Sequence, residues 1–587
     1  MSQVPNFSVP CISLSPELQK TSVERTERLL LRILRANAHT QYASQASTLA
    51  DFRHAISKHG LDDDASLLND FRTFVPLTGY ESYKPLIAKF DERPYKESEL
   101  QDLFAPGLPH FLAVSSTTSG KAPKIFARYR HVPQEFSQLH RHGLNYRWVD
   151  GPTSWIYYYG YRDLKEVEGE PGHVIKRIPV CQVSGGSLRT YFDWNVEDDE
   201  SRLASTIPGH AEPWAATMIT NHRSFLMIHA LFCLATRDLK RIAITFATLF
   251  ADMMRRVDEE WDMLLDCIRN GTIPHLDSLD DLRVYLEPQL RANPERADEL
   301  REIGPPSSCD GWAARVWPDF EMILTICSGG FATALPKVRS ILGPAVNIIN
   351  PGYGSTECNI AANFDPTDLD SLVITTEDVI EFMDVTVEES ERCILQAWEL
   401  QVGKLYEIVL TTRDGLWRYA LGDIVEITGF ASDDGSPVFK FSGRKSLAIR
   451  FPCTVITDAH LTATIQAINS QDLIQVHEFT TVVDDRELPE TVGYFVEVAG
   501  PLGSDSHLAP QRLFDSLVAT NSEHQAALGR GETRLPTVRI VKPGTFMDYR
   551  RWRGETMNIG SGQIKVPVVL TDPATQEWML GRVIREL

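Results

Sequence analysis

A loop rich in hydroxyl groups follows the short apolar run FLAV and spans residues 115–124, with the sequence SSTTSGKAPK. Its candidate phosphate ligands are Ser115, Ser116, Thr117, Thr118, Ser119, Gly120 and Lys124. Phosphate oxygens need many donors at close range, and small Ser, Thr and Gly residues supply them from backbone N–H and side-chain O–H groups. The loop lacks the pattern G-x-x-x-x-G-K-[ST], so it is not a Walker loop. Taken alone, it is also compatible with an ordinary polar surface loop.

A second candidate loop, NPGYGSTE, follows an apolar run and spans residues 350–357. The residues of interest in it are Tyr353, Gly354, Ser355, Thr356 and Glu357. The ring of Tyr353 could stack on a flat base, and the carboxylate of Glu357 could hold a divalent cation. Mg²⁺ on nucleotide phosphates usually takes only one or two protein carboxylates, so a single glutamate is sufficient. A loop that merely exposes a glutamate is the alternative.

Two further candidates for a nucleotide site come later in the chain. Asp423 lies in WRYALGDIVEI, where it follows a glycine and precedes an alternating run typical of a strand, and Arg444 lies in FSGRKS. An ionised aspartate at such a bend can accept hydrogen bonds from both hydroxyls of a ribose. A turn-forming aspartate and a solvated arginine would explain the same residues without a ligand.

The last 50 residues contain two segments with basic candidates. The segment KPGTF supplies Lys542, Gly544, Thr545 and Phe546, and GQIKVP supplies Lys565. Isolated lysines are usually solvated, so neither lysine indicates a ligand without a partner set.

The patterns around these motifs predict an α/β fold. Leucine and isoleucine at three- and four-residue steps predict an amphipathic helix from Val23 to Asn37, and residues 223–270 read as two or three consecutive helices. The runs MILTICSGG and AVNIINPGYGSTE stop at small residues, as do buried strands that end at ligand loops. ASDDGSP at residues 431–437 is the best linker candidate. We therefore predict a large α/β body at residues 1–442 and a smaller α+β domain at residues 443–587.

The amino-acid composition excludes some classes of binding partner. The 587 residues include 79 Asp and Glu against 58 Lys and Arg, a formal charge of -21 at pH 7. Such a surface repels phosphate backbones and anionic lipids, so we expect neither nucleic-acid nor membrane binding. Nine dispersed cysteines without a C-x-x-C pair indicate reduced thiols, and the N-terminal segment does not read as a secretory signal. We expect a cytoplasmic monomer.

The order of the motifs points to a family. A hydroxyl-rich loop, Y-G-S-T-E, Y-x-x-G-D and a C-terminal lysine, in this sequence, resemble the acyl-adenylate-forming superfamily that includes firefly luciferase. Within it the chain is most similar to the Gretchen Hagen auxin-responsive family of acyl-acid amido synthetases. The long helical segment starting at ALFCLAT, the run VWPDFEMILTICSGG and the C-terminal RIVKPGTFMDYRRW extend the similarity over about residues 20–587. The first loop departs from the family, which usually has glycine where Ser116 or Thr117 falls.

This resemblance implies a role for each motif in joining a small carboxylic acid to the α-phosphorus of ATP, with release of pyrophosphate. Residues 115–120 would hold phosphate. Glu357 would hold Mg²⁺. Tyr353 would cover the adenine, and Asp423 with Arg444 would fix the ribose. Lys565 would be the catalytic lysine that bridges the carboxylate and the α-phosphate.

The resemblance also implies a second half-reaction, in which an amino acid or another amine attacks the acyl-adenylate, forms an amide and releases AMP. The family holds the amino acid where residues 542–546 fall, and Gly544 would allow close approach of the backbone. The smaller domain rotates between the two steps in this superfamily, which places the pivot here near Arg444 and Lys445.

Two other functions remain open from the sequence. An acyl-CoA ligase shares the adenylation step but passes the acyl group to a thiol. A non-catalytic relative would bind an acid or nucleotide without turnover, although Glu357, Asp423 and Lys565 are all retained. The acid itself is not identified, because the acyl pocket cannot be read from the sequence.

Overall fold

A computed structural model describes residues 9–115, 123–130, 151–385, 393–445, 448–451, 454–557 and 566–587. Six predicted site residues lie outside these ranges: Ser116, Thr117, Thr118, Ser119, Gly120 and Lys565. None of the helices within the ranges is both long and apolar enough to cross a lipid bilayer.

Helices and strands alternate along the described part of the chain. The α-helices are α1 Pro16–Asn37, α2 Gln41–Gln45, α3 Ala50–Ile56, α4 Asp64–Phe74, α5 Lys84–Ile87, α6 Glu97–Leu100, α7 Val183–Tyr191, α8 Asp199–Arg202, α9 His222–Ala235, α10 Ala247–Glu259, α11 Trp261–Asn270, α12 Asp280–Leu286, α13 Pro294–Ile303, α14 Trp312–Val316, α15 Leu335–Leu342, α16 Asp458–Ile468, α17 Ala509–Thr520, α18 Ser522–Gly529, α19 Thr545–Met557 and α20 Pro573–Leu580. The strands are β1 Tyr95–Lys96, β2 Phe111–Val114, β3 Ile125–Arg128, β4 Thr153–Ile156, β5 Asp163–Glu170, β6 His173–Cys181, β7 Arg241–Phe246, β8 Met322–Ile326, β9 Asn347–Ile349, β10 Tyr353–Gly354, β11 Asn359–Asp365, β12 Asp368–Ile374, β13 Val379–Asp384, β14 Ile394–Leu395, β15 Leu405–Thr411, β16 Tyr419–Phe430, β17 Pro437–Arg444, β18 Ile449–Phe451, β19 Thr454–Ile456, β20 Val476–Asp484, β21 Thr491–Val498, β22 Thr537–Val541 and β23 Val583–Glu586.

The strands up to Arg444 form three sheets. The first has the order β1-β5-β6-β2-β3, and the second, β4-β7-β8-β9, is entirely parallel. The third has eight strands in the order β10-β11-β12-β17-β16-β15-β13-β14, and every neighbouring pair in it is antiparallel. After Arg444 come the pair β18-β19 and the sheet β20-β21-β22-β23. The predicted α/β class is confirmed.

The sheets pack against helices through separate hydrophobic cores. One core joins α1, α3 and α4 to the eight-stranded sheet and includes Leu34, Phe71 and Trp417. A second surrounds the parallel sheet, where α9 and α10 cover strands that read as continuous apolar runs. A third core begins at Ile449 and lies between α16, α17 and the last sheet. The domain boundary between residues 442 and 443 stays a prediction.

The opening helix is confirmed, with an earlier start than the apolar pattern predicts. Helix α1 runs from Pro16 to Asn37. The hydroxyl of Ser15 accepts the backbone N–H of Leu18, and Pro16 occupies the first turn, where its missing N–H costs nothing. The apolar spacing does not predict this start, because the helix begins at the Ser15 cap and not at its first apolar residue.

The prediction of consecutive helices over residues 223–270 is wrong in one part. Helices α9, α10 and α11 are present, but β7 at Arg241–Phe246 interrupts them as a central strand of the parallel sheet. Its sequence RIAITF is short and rich in β-branched residues, which suit a buried strand. Periodicity alone does not separate such a run from a buried helix turn.

The linker prediction for residues 431–437 is also wrong. This segment is the turn that connects β16 to β17 within the eight-stranded sheet. Asp434 forms an ion pair with Arg25 at 2.5 Å, which ties the turn to α1. Polar residues with Gly and Pro are shared by hairpin turns and linkers, so composition did not distinguish them.

A buried polar group lies beside the parallel sheet. Glu212 has no exposed surface, and its Oε1 accepts the backbone N–H of Trp155 at 2.6 Å. Burial raises the pKa of the Glu212 carboxyl to about 7, because the charged form loses its hydration. Burial has the opposite effect on the nearby imidazoles and lowers the pKa of His229 to about 4 and that of His210 to about 3.

We predict that Glu212→Gln removes a pH-dependent component of stability. A raised folded-state pKa stabilises the fold fully below the unfolded value of about 4.5 and loses that contribution as pH rises through about 7. The difference in unfolding free energy between variant and wild type should therefore shift by about 3 kcal/mol in favour of the variant from pH 4.5 to pH 8. Denaturant titrations across that range measure it. Parallel curves would contradict the prediction.

Candidate active site

The hydroxyl-rich loop is anchored at both ends by a β-hairpin. Strands β2 and β3 pair antiparallel up to Val114 and Ile125. Ser115 then donates its backbone N–H to the Lys124 carbonyl at 2.9 Å, and its hydroxyl accepts the Lys124 N–H at 2.9 Å. The hairpin therefore fixes where the predicted phosphate loop leaves and rejoins the sheet.

The turn that contains Y-G-S-T-E is held by its own serine and by a half-buried arginine. The Ser355 hydroxyl accepts the N–H groups of Glu357 at 3.2 Å and Cys358 at 3.3 Å. Arg128 donates to the Thr356 carbonyl at 3.0 Å and forms an ion pair with Asp414 at 2.7 Å. These bonds leave the backbone of the turn little freedom.

Glu357 projects into a buried space beside a cation. It is only 8% exposed, and burial raises the pKa of its carboxyl, while the ammonium of Lys124 opposes that rise. Lys124 donates to the Tyr419 hydroxyl at 3.0 Å, and the Glu357 carboxylate adjoins the same hydroxyl. Lys124 and Glu357, distant in sequence, are thus brought together around Tyr419.

Asp423, Arg444 and Tyr353 form a second polar group next to the first. Asp423 on β16 is the register partner of Arg444 on β17, and its Oδ1 lies 3.1 Å from the arginine Nε. The Tyr353 hydroxyl donates to the other oxygen, Oδ2. Burial raises the pKa of Asp423 and the guanidinium of Arg444 opposes that rise. The ring of Tyr353 packs against Phe441, with centroids 5.5 Å apart.

A glycine allows this pair of strands to meet the next element closely. Gly443 has φ of +151°, and a Cβ there would lie 1.7 Å from Oδ1 of Asp458, the first residue of α16. A side chain at this position would displace the Asp458 carboxylate, and the backbone conformation itself favours glycine. Arg444, the next residue, pairs with Asp423 and also lies near the carboxylate of Asp458.

A fully buried ion pair supports the strand that carries Tyr419 and Asp423. The Arg418 guanidinium donates to both carboxylate oxygens of Glu381, at 3.0 and 2.9 Å, and both side chains are at most 3% exposed. Arg418 has a left-handed φ of +43°, a strained conformation for a residue with a side chain. Sequence reasoning missed this pair, although a glutamate inside the apolar strand VIEFMD was a signal, since buried charges require partners.

The predicted amine-binding segment lies on the C-terminal sheet. It connects β22 to α19, and Lys542 is exposed while Thr545 and Phe546 are buried. Gly544 adopts a left-handed φ of +81° immediately before the helix. The role of the segment 542–546 in binding an amine stays a prediction. The nucleotide-binding and metal-binding roles of the residues described above also stay predictions.

A metal could be held by one carboxylate here. The described ranges contain no group of three or more His, Cys, Asp or Glu residues able to hold an ion. Mg²⁺ that is bound mainly by nucleotide phosphates needs only one or two carboxylates, and Glu357, buried beside the phosphate-loop hairpin, fits that requirement.

The sequence matches two domain profiles of one family. A profile described as the GH3 family N-terminal domain matches residues 17–347, and one described as the GH3 family central domain matches residues 371–444.

Full-length relatives come from plants. An indole-3-acetic acid-amido synthetase, GH3.15 of Arabidopsis thaliana, is 24% identical, with 99% of this chain and 96% of the relative covered. The corresponding GH3.8 of Oryza sativa subsp. indica is 25% identical, covering 95% and 90%. The jasmonoyl–L-amino acid synthetase JAR4 of Nicotiana attenuata is 24% identical, covering 90% and 88%.

Solved structures share the fold. The GH3.15 acyl acid amido synthetase superposes with a TM-score of 0.70 at 21% sequence identity, over 97% of this chain and 95% of that one. Its complex with 2,4-DB gives the same TM-score over 99% and 98% of the two chains. The fold of GH3.15 is therefore shared by both the large α/β part and the smaller C-terminal part of this chain.

We predict that the Arg418–Glu381 pair is essential for stability. Arg418→Met leaves a buried carboxylate unpaired and should lower the unfolding free energy by about 3–5 kcal/mol. The double variant Arg418→Met/Glu381→Leu removes both charges and should recover much of that loss. Denaturant unfolding of the two variants measures both effects, with Arg255→Met, which alters an exposed arginine, as the control. A loss below about 1 kcal/mol in the single variant would contradict the assignment.

Proposed function

This chain belongs to the GH3 family, and we propose from this premise that it is an ATP-dependent acyl-acid amido synthetase. It activates a small carboxylic acid as an acyl-adenylate and transfers the acyl group to an amino acid or another amine. The observation that carries the proposal is the convergence of two buried carboxylates, Glu357 and Asp423, with the cations of Lys124 and Arg444.

In the first half-reaction, a carboxylate oxygen of the acid attacks the α-phosphorus of ATP. The bond from that phosphorus to the bridging oxygen breaks, and pyrophosphate leaves with its electron pair. Two anions must approach each other, so the site lowers the barrier by placing positive charge where negative charge accumulates. Lys124 is held at the hairpin end, and Lys565 of the C-terminal part bridges the reacting carboxylate and the α-phosphate.

The nucleotide is oriented by the second polar group. Asp423 accepts the ribose hydroxyls, and the guanidinium of Arg444, 3.1 Å away, favours the charged form of that carboxylate. Tyr353 covers the adenine from a ring already fixed by Phe441. Residues 115–120 and the turn Gly354, Ser355 and Thr356 bind phosphate. Glu357 holds Mg²⁺, which when bound neutralises charge on the phosphates and on the departing pyrophosphate.

In the second half-reaction, the amine attacks the carbonyl carbon of the acyl-adenylate and AMP leaves. An amino-acid amine has a pKa above neutrality, so it must lose its proton before it attacks. We infer that the domain at residues 443–587 is mobile and brings the segment at 542–546 to the acyl-adenylate after pyrophosphate has left.

The acid and the compartment are inferred only in general terms. The relatives are named for indole-3-acetic acid and for jasmonoyl conjugates, which supports a small carboxylic acid as the first substrate. Free thiols occur in the described ranges at Cys11, Cys181, Cys233, Cys267, Cys309, Cys327 and Cys358, which supports a reducing, cytoplasmic location. We further infer a monomer.

The proposed function predicts a specific set of products. The protein is incubated with ATP, Mg²⁺, a pool of aromatic and aliphatic acids and the twenty amino acids, and all products are identified by mass spectrometry. We expect AMP, pyrophosphate and a new amide whose mass names both substrates. A parallel reaction with CoA in place of the amino acids tests for a thioester.

The outcomes separate the candidate functions. ADP with phosphate would contradict adenylation. A thioester without an amide would make the chain an acyl-CoA ligase, and nucleotide binding without any turnover would support the non-catalytic relative.

We predict that Lys565→Ala abolishes adenylation but retains nucleotide binding. Loss of the bridging charge should reduce acid-dependent exchange of labelled pyrophosphate into ATP by about a hundredfold or more. ATP affinity measured by calorimetry should change by less than about threefold. Lys404→Ala, which alters an exposed lysine of the eight-stranded-sheet region, is the control and should leave exchange unchanged. Full exchange activity in Lys565→Ala would exclude the bridging role.

A further inference from the structure

A buried glutamate holds the start of helix α19. Glu497 on β21 is only 6% exposed, and both of its carboxylate oxygens are used. Its Oε1 accepts the backbone N–H of Gly544 at 2.8 Å, and its Oε2 accepts that of Phe546 at 3.0 Å. A carboxylate supplied from a neighbouring strand thus binds the two ends of the segment Gly544–Phe546.

This contact replaces a local helix cap. Asp548 donates its N–H to the Gly544 carbonyl at 3.0 Å, so Gly544 is the residue at which the helical bonds begin. The first N–H groups of a helix have no partner within the helix, and glycine has no side chain with which to cap them. The negative charge of Glu497 also lies at the positive end of the helix dipole.

A second carboxylate on the neighbouring strand holds the same helix. Glu478 on β20 is the register partner of Glu497 and forms an ion pair with Arg550, in the second turn of α19. The helix is therefore attached to the sheet at its first amides and again one turn later. Tyr549, between the two, is buried against the same sheet.

The bonds decide which groups of the segment remain available to a ligand. The amides of Gly544 and Phe546 are occupied by Glu497, and the Thr545 hydroxyl donates to the Lys542 carbonyl at 2.6 Å. Lys542 and Pro543 are the exposed residues of the segment. A substrate carboxylate would therefore meet the ammonium of Lys542, and not the backbone amides.

We propose that Glu497 is a positioning residue that fixes the segment Lys542–Phe546 for an amino-acid substrate. This inference rests on the proposed amido synthetase function. Glu497 does not touch the substrate. Its charge fixes the turn at Gly544, and the turn fixes the place from which Lys542 projects. Loss of Glu497 should weaken amine binding without affecting adenylation, because the nucleotide groups belong to other strands.

The test uses full-length Glu497→Gln, in which the side-chain oxygen can accept one amide but the NH₂ group cannot accept the other. The substrates are the acid and amino acid that give the largest amide peak in the pooled assay. We expect the KM for the amino acid to rise about tenfold or more, with kcat and acid-dependent pyrophosphate exchange within about threefold of wild type. Glu487→Gln, at an exposed glutamate of the same sheet region, should change none of these values.

A second variant keeps the proposal testable if Glu497→Gln does not fold. Arg550→Gln removes the partly exposed partner of Glu478 and should raise the same KM by about threefold. Hydrogen exchange of residues 541–547 gives a readout independent of activity, and the amides of Gly544 and Phe546 should exchange about tenfold faster in Glu497→Gln. An unchanged KM in both variants would overturn the proposal.

The design separates this proposal from the proposed function. A wild-type protein without acid-dependent pyrophosphate exchange would refute the amido synthetase function. In that case unchanged hydrogen exchange at Gly544 and Phe546 in Glu497→Gln would still refute the positioning role of Glu497.

Discussion

Two carboxylates, Glu357 and Asp423, are buried close to each other, and the rest of the site depends on compensating their charge. Burial raises the pKa of both, and the charge of Asp423 adds to the rise at Glu357. Lys124 from the β2–β3 hairpin and Arg444 from β17 oppose these shifts. Acidic groups kept charged in this way can receive ribose hydroxyls and a divalent cation, which a neutral pocket would not.

The charges of these carboxylates are compensated by residues that are distant in the sequence. Local sequence patterns do not reveal such pairs. Asp423, Arg444, Glu357 and Tyr353 were singled out from the order of their motifs, and the structure brings them together while their ligand roles stay predictions. The Arg418–Glu381 pair was not predicted, because its only signal was the glutamate inside the apolar strand VIEFMD. The strand β7 and the hairpin turn at 431–437 were misassigned because short apolar runs and Gly/Pro-rich turns look alike in different folds.

The proposed nucleotide ligands and the proposed amine segment lie on different parts of the structure, although the catalytic Lys565 of the first half-reaction belongs to the C-terminal part. The nucleotide groups lie on the hairpin β2–β3 and on the eight-stranded sheet. The amine segment is attached to the last sheet through Glu497 and is built around its own hydrophobic core. Separate scaffolds permit one part to move relative to the other between the steps, while each keeps its own local geometry. Gly443 lies where β17 meets α16, and a Cβ there would overlap the Asp458 carboxylate.

The most direct test of this account is a crystal structure of the protein with AMP bound. The account predicts that both ribose hydroxyls lie within about 3 Å of the Asp423 carboxylate, with the phosphate directed towards the loop at 115–124. AMP bound with its ribose away from Asp423, or an Asp423–Arg444 pair that excludes the nucleotide, would contradict it.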